Sequence, residues 1–377
     1  MNKRYCLDAR TATDHFPGIG RYVSNIARGI AAQLAADEQL VLLVDPRQPS
    51  RWRLPPSSPQ VEIIASDVSP FALAQQWRIP RLLRHLQIDL YHSPYYLMPY
   101  RPGVPTLLTV YDLIPLYFPD LVSRRARLFF TFSSRLAIAA ADHLLAISAA
   151  TREDFRREYG LKDAFISTVP LAPDGRFQPL PPPTVAAVRK RYELPTEHFL
   201  YLGINKPHKN LPLLVRAWQN LAEEYHALPP LIIAGAWDNR YPEAKELVQQ
   251  QYSGCMVRFL GPVSDEDLPA LYNSALGFIF PSLYEGFGLP VIEAMACGTA
   301  VICADSSSLP EIAGEAALLF PPEDEADLQR CVLRIWQDEQ LRVELEQKGI
   351  IRSADYSWQT TADRTLAHYR RMNSSSS

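Results

Sequence analysis

Residues 276–304, LGFIFPSLYEGFGLPVIEAMACGTAVICA, decide how the second half of this chain folds. An apolar, β-compatible run (276–280) stops at Pro281, a loop carries Glu285 and two glycines, and a second apolar run spans 300–304. Between them the pattern predicts a short helix. It should open at Pro290, whose missing N–H costs nothing at a first helical position, and run to Cys297, with Gly298 as its stop. The helix N-terminus is wrapped by Gly286, Phe287, Gly288 and Leu289. Backbone N–H groups there lack intrahelical partners and the helix dipole adds positive potential, so the place suits a phosphate. Glu285 in the loop and Glu293 about one turn into the helix can flank one bound molecule, each offering an acceptor-only carboxylate to hydroxyls. Phosphate beside hydroxyls describes a sugar nucleotide. The blander reading of the same residues is an acidic surface loop followed by an ordinary amphipathic helix.

At 377 residues, 47% hydrophobic and 21% charged, the chain has the length of two or three domains and the composition of a soluble globular protein. No apolar run of about 18 residues appears, and the first residues lead straight into a strand rather than a signal-peptide core, so a cytoplasmic protein is expected. Five cysteines without a C-x-x-C pair read as thiols of a reducing compartment, with neither a disulfide nor a zinc site. Charge divides unevenly. Up to Pro183 there are 21 Lys+Arg against 16 Asp+Glu, a net +5, and beyond it 17 against 25, a net −8. The first half is therefore the part suited to an anionic partner such as a membrane surface or a diphosphate, unless its arginines are merely scattered over the surface.

A second constellation lies at residues 203–211, GINKPHKNL, where Asn205, Lys206, His208 and Lys209 cluster between a strand end and a helix expected to be capped by Asn210. Near the start, a strand (5–9) leads into residues 10–22, RTATDHFPGIGRY, and a helical pattern to about Ala35. Gly18 and Gly20 form only G-x-G, with Val23 where a third glycine would stand, so a Rossmann NAD site is disfavoured; the loop either meets a phosphate or makes a tight turn. Tyr111 and Asp112 close another strand (106–110), where open α/β sheets bind ligands, and Asp112 either orients a hydroxyl or caps the next turn. Residues 77–86 read as a basic helix broken near Pro80. Residues 123–141 read as a helix in which Arg124, Arg125 and Arg127 stand beside Phe129, Phe130 and Phe132; the pattern fits a membrane surface, but packing of the aromatics into the core is favoured. Ser148 should cap the following helix. Six prolines in 169–183 mark an interdomain linker, and 373–377 a disordered tail.

The stretch E-G-F-G-L-P-V-I-E-A (285–294) resembles the signature of family-4 glycosyltransferases, which have the GT-B fold, and the resemblance extends over nearly the whole chain. It implies an α/β protein of two Rossmann-like domains with parallel sheets facing across a cleft. The expected bounds are an acceptor-binding domain in 1–170, a linker in 171–195, a donor-binding domain in 196–355 and a crossover helix with tail in 356–377. In the family the second glutamate holds the nucleotide ribose, and the first, with the following backbone amides, holds donor sugar and phosphates; these roles fall to Glu293 and to Glu285 through Leu289. Residues 203–211 resemble the family's G-x-x-x-P-R-K-N-L, so that Lys209 matches the lysine that neutralises the donor diphosphate. A positioned cation there lowers the barrier as charge accumulates on the leaving group. Ile204 stands where some members have arginine, leaving that task to Asn205 or Lys206. Backbone near Val263 is expected to meet the base.

Residues 111–115 resemble the family's H-D-L-x-P, but Tyr111 replaces a histidine and does not titrate near pH 7, which puts any imidazole role in doubt. The first loop, with Gly18 and Gly20, faces the donor in the family, and its D-x-R (8–10) followed by G-I-G-R-Y (18–22) resembles a subgroup that includes O-antigen mannosyltransferases. The resemblance implies retaining hexosyl transfer without metal or cofactor, from a nucleotide sugar, GDP-mannose favoured, to a glycan or a polyprenyl-diphosphate-linked saccharide. The charge excess of the first domain adds peripheral contact with the inner membrane face to the expected partners, and no nucleic acid is expected. The alternatives are a UDP-glucose or UDP-N-acetylglucosamine donor, an epimerase, phosphorylase or hydrolase of the same fold, and a silent sugar-nucleotide binder.

Overall fold

In the structure, a computed structural model that describes residues 3–14, 17–47, 51–250 and 256–374, alternating strands and helices gather into two units. One comprises Met1–Leu171 with Ser357–Ser377, the other Ala172–Tyr356. Each is built on one wholly parallel sheet, as alternating apolar runs and helical patterns require.

The first unit opens with β1 (Lys3–Asp8), α1 (Pro17–Ala31), β2 (Glu38–Val44), β3 (Val61–Ala65) and α2 (Gln75–His85). It continues through β4 (Leu90–Ser93), β5 (Thr106–Val110), the single turn α3 (Ile114–Tyr117), α4 (Arg124–Ala140), β6 (His143–Ala146), α5 (Ala149–Tyr159) and β7 (Ile166–Thr168). The sheet order is β3-β2-β1-β4-β5-β6-β7. All of β4, β5 and β6 is buried, which is why these strands read as continuous rather than alternating apolar runs.

Three expectations change in this unit. Gly18 and Gly20 lie inside α1 rather than in a loop, because Pro17 takes the first helical position and presets its φ. Gly20 is still demanded by packing, since a Cβ there would fall 2.1 Å from Nε1 of Trp52. α2 runs unbroken through Pro80, held to the core on either side by buried Ile79 and Leu83. In α4 only Phe130 enters the core, while Phe129 and Phe132 are 57% and 62% exposed. Neighbouring helical residues point about 100° apart, so Phe129 and Phe130 cannot both face the sheet. Ser148 does cap α5, its side chain accepting from Thr151 N–H at 2.9 Å.

The second unit contains α6 (Pro182–Arg191), which lies within the stretch expected as linker, then β8 (Phe199–Leu202), α7 (Leu211–Glu224), β9 (Leu231–Ala234), α8 (Glu243–Gln250) and β10 (Val257–Gly261). After these come α9 (Leu268–Asn273), β11 (Gly277–Phe280), α10 (Leu289–Ala296), β12 (Val301–Ala304), α11 (Leu309–Ala313), β13 (Ala317–Phe320), α12 (Glu325–Gln337) and α13 (Glu339–Ala354). Its strands run in the order β10-β9-β8-β11-β12-β13.

The last helix, α14 (Trp358–Ser374), belongs to the first unit and packs on α1. Gly29 permits the close approach, because a Cβ there would meet that of Ala362 at 2.5 Å. Arg370 grips Glu38 with two bonds of 2.8 and 2.7 Å, and Tyr369 Oη lies 2.7 Å from Nδ1 of His92. The helix runs to Ser374, so Asn373 and Ser374, expected in the tail, are helical, and 375–377 lie outside the described residues. Among the described residues no helix is long and apolar enough to cross a membrane.

Buried imidazoles make the fold acid-sensitive. Burial pushes His92 and His208 from the ordinary 6.5 down to about 3, and His143, His198 and His368 down to about 4. Below pH 6.5 the unfolded chain takes up protons that the folded chain refuses, so this stability is complete above 6.5 and is lost as pH falls towards 4. The urea midpoint should therefore be lower at pH 5 than at pH 7.5, and an equal or higher midpoint at pH 5 contradicts this.

Candidate functional site

In the second unit the strand order reverses between β8 and β11, so the loops that leave their carboxyl ends depart in different directions and leave a crevice. The chain puts its two conspicuous motifs there. Residues 203–210 follow β8 and residues 281–288 follow β11, and Leu283 N–H donates to the His208 carbonyl at 2.7 Å, tying loop to loop. Lys209 Nζ then stands 2.5 Å from Glu285 Oε1 and 5.0 Å above the ring of Phe280. Both side chains are mostly buried, at 14% and 12% exposure. A charge pair so far out of water attracts more strongly than an exposed one.

Three consecutive serines after β12 hold the glutamate loop. Glu285 N–H donates to Ser307 Oγ (2.8 Å), Ser308 Oγ donates to the Glu285 carbonyl (3.0 Å), and Ser306 Oγ to that of Ser282 (2.7 Å). Gly288 caps α10 with φ +101°, so the helix begins at Leu289 and Pro290 is its second residue, one place later than expected. Phe287 is buried with its ring 5.8 Å from that of Tyr356. Gly298 ends the helix in the left-handed region, as its place in the sequence predicts. Glu293 lies on α10, only 4% exposed, and its Oε2 accepts from Tyr272 Oη at 3.3 Å.

The residues around Lys209 divide by role. Asn205 is buried and pins the loop after β9, donating to the carbonyls of Asp238 (2.9 Å) and Tyr241 (2.6 Å) and accepting from Asp238 N–H (2.6 Å). Asn210 has φ +54° and gives its amide to the Pro322 carbonyl at 2.9 Å, so the expected side-chain cap of α7 is not made. Burial, and then the charges of Lys209 and Lys206, keep His208 neutral at physiological pH. Lys206 is half-buried beside them, and Val263 follows β10 at the far edge of the sheet.

The remaining candidates belong to the first unit, whose switch point lies between β1 and β4. Arg10 is 1% exposed and forms a two-bonded pair with Asp8 at 2.8 and 2.6 Å, with Tyr91 Oη donating to the same carboxylate at 2.5 Å. The D-x-R pattern is thus a buried clamp at the carboxyl end of β1. Tyr111 follows β5; its hydroxyl is buried without a hydrogen-bond partner among the described residues, and burial holds the phenol well above its ordinary value. Asp112 accepts from Ile114 N–H at 3.0 Å, which is the turn-capping geometry.

Lys209, Glu285, the 286–289 backbone and Glu293 therefore share one unit and one switch point, whereas Tyr111, Asp112, Gly18 and Gly20 belong to the other. Phe280, Tyr272 and Ser306–Ser308 escape a motif-based reading. The serine run could have been noticed, since it follows an apolar strand by one residue, at the sheet edge where ligands gather. Gly288→Ala should lower the unfolding free energy by on the order of 1–3 kcal/mol, because alanine is strained at φ +101° and its Cβ would sit 2.7 Å from Leu309 Cδ2. Urea unfolding checks this, and an unchanged midpoint would show that the loop relaxes freely.

Comparison with known proteins gives two family matches. The model for glycosyl transferases group 1 matches residues 188–352, and the model for Glycosyltransferase Family 4 matches residues 17–174. The chain is similar to O-antigen chain mannosyltransferase B of Escherichia coli, at 31% identity over 76% of each chain. It is also similar to the serotype-specific mannosyltransferase WbdA of Escherichia coli, at 30% identity over 72% of this chain but 34% of that longer protein. Among solved structures, sucrose-phosphate synthase from Thermosynechococcus elongatus superposes with a TM-score of 0.75 at 23% identity, covering 99% of this chain and 100% of that one. The lipopolysaccharide glycosyltransferase WaaG gives a TM-score of 0.69 at 15% identity, over 96% and 98%.

Proposed function

The chain belongs to the family-4 (group 1) retaining glycosyltransferases of GT-B fold, and from that premise we propose that it transfers mannose from GDP-mannose to a glycan acceptor in surface-polysaccharide assembly. The observation that carries the reading is the Lys209–Glu285 pair at the β8/β11 switch point, next to the N-terminus of α10. The donor's diphosphate competes with Glu285 for the Lys209 ammonium and meets the backbone N–H groups of 286–289 at the start of α10. Glu285, so released, accepts from hydroxyls of the donor sugar, and Glu293 exchanges its Tyr272 bond for the ribose hydroxyls. As the glycosidic bond breaks, charge gathers on the departing diphosphate, where a fixed ammonium stabilises the transition state more than the ground state. No metal is required in this scheme, because lysine and helix terminus meet the phosphate charge.

Mannose is favoured by the names of the relatives, which are mannosyltransferases, together with the likeness of residues 8–22 to that subgroup. Val263 and its neighbours after β10 contact the base through backbone groups. Tyr111 and Asp112 attend the acceptor and Gly18 and Gly20 the donor, while Asn205 and Lys206 support the diphosphate loop. A saccharide on a polyprenyl diphosphate is the acceptor this reading prefers, which sets the reaction at the inner membrane face.

Donor choice and metal independence are tested together by hydrolysis of GDP-mannose, UDP-glucose and UDP-N-acetylglucosamine with excess chelator. GDP-mannose should be hydrolysed fastest and the chelator should leave the rate nearly intact. Faster loss of a UDP-sugar overturns the donor assignment, and activity restored only by magnesium or manganese overturns the metal-free scheme.

Glu293→Ala should weaken GDP binding by on the order of 1.5–3 kcal/mol, the worth of a hydrogen bond to a charged group. Calorimetry reads this directly. Unchanged affinity in a folded variant would remove Glu293 from the site.

A further inference from the structure

The helix α4 has a solvent face that its packing does not explain. Its inner stripe, Phe130, Ser133, Ser134, Ala137 and Ile138, is buried against the sheet, yet Leu128, Phe129 and Phe132 point outward at 71%, 57% and 62% exposure. Arg124, Arg125 and Arg127 are exposed on the same turns, with Arg135 further along. No Asp or Glu occurs anywhere in α4, and none in α2. α2 belongs to the same layer, since Ile79 and Leu83 share one core cluster with Phe130 and Ile138. It too turns an aromatic and arginines outward, with Trp77 at 56% exposure beside exposed Arg78 and Arg81. Arg78 pairs with Asp67 at 2.7 Å, so the uncompensated charge lies on α4. Single exposed apolar residues are ordinary, but three within positions 128–132 of a helix that carries arginines and no carboxylate are not.

We propose that the outward face of α4, Arg124, Arg125, Arg127, Leu128, Phe129 and Phe132, docks on an anionic phospholipid surface. The side chains match the two layers of such a surface. Leu and Phe enter the boundary between headgroups and acyl chains, while guanidinium groups on the same helix face stay level with phosphate and can bind it through two N–H groups. Neither part suffices alone, since weak apolar insertion and screened charge each give only reversible contact. The charge excess of the first half has its use here. The proposal deepens the function above by naming the surface that meets the membrane, and it rests on that reading for the lipid-linked acceptor.

Vesicle co-sedimentation of the full chain tests it, with phosphatidylglycerol-containing vesicles compared with pure phosphatidylcholine ones. Binding should require the anionic lipid and weaken with salt. A Leu128→Ser/Phe129→Ser/Phe132→Ser variant should lose about tenfold or more in partitioning. Arg124→Glu/Arg125→Glu/Arg127→Glu should lose more than about a hundredfold, each basic residue near such a surface being worth about fivefold. Both variants change only exposed residues, and circular dichroism and GDP calorimetry on the same samples should match the parent. Equal binding to both vesicles, undiminished binding by either variant, or sedimentation through self-association without lipid would overturn the proposal. Failure of GDP binding in the parent chain would instead count against the proposed function.

Discussion

The switch point of the second unit depends on one ammonium–carboxylate contact between loops that neighbouring strands deliver to the same edge of a parallel sheet. Parallel pairing makes this contact natural, because every strand ends at the same side and the loops after β8 and β11 start as neighbours. Burial then makes it consequential: a mostly dry Lys–Glu pair is costly to leave half-made, and losing one partner of a buried pair costs about 3–5 kcal/mol. The surrounding hydrogen bonds, accepted by Ser307 Oγ and the His208 carbonyl and donated by Ser308 Oγ, hold the loops so that the pair forms without searching for its geometry. A ligand that supplies both a phosphate and hydroxyls can satisfy each member of the pair separately.

The first unit depends on a different device. Its last helix comes from the far end of the chain, and polar groups buried with it must find partners there. Tyr22 Oη meets Thr109 Oγ1 at 2.8 Å, Thr109 Oγ1 meets His92 Nε2 at 2.8 Å, and His92 Nδ1 meets Tyr369 Oη at 2.7 Å. This chain of hydrogen bonds links α1, β5, β4 and α14, and burial keeps its imidazole neutral. Arg370 on Glu38 adds a charged bond at the other end of the contact and holds the Glu38 carboxyl below its usual range.

The D-x-R pattern illustrates how a motif can be recognised and its role still be missed. From the sequence it marks a subgroup likeness next to a glycine segment; in the structure its two charged residues are consumed by each other, by Tyr91 and by the Val68 carbonyl. Its effect on any ligand passes through the backbone it fixes after β1.

Sequence alone determined what depends on near neighbours along the chain. The strand–loop–helix–strand unit at 276–304, the left-handed stop at Gly298 and the Ser148 cap all come from spacing within a few residues, where backbone sterics and helix periodicity act. Tertiary structure decided which side chain met which. Asn205 spends its amide on the loop after β9, Asn210 on Pro322 rather than on its own helix, and Glu293 meets Tyr272. Gly18 and Gly20 join α1, and Phe130 turns in while Phe129 and Phe132 turn out, because only the position of the sheet sets which side of a helix is the inside. Glu38 and Arg370 pair across 332 positions, a partnership that no local pattern encodes, since it exists only after β2 and α14 have been brought together by burial of their apolar faces.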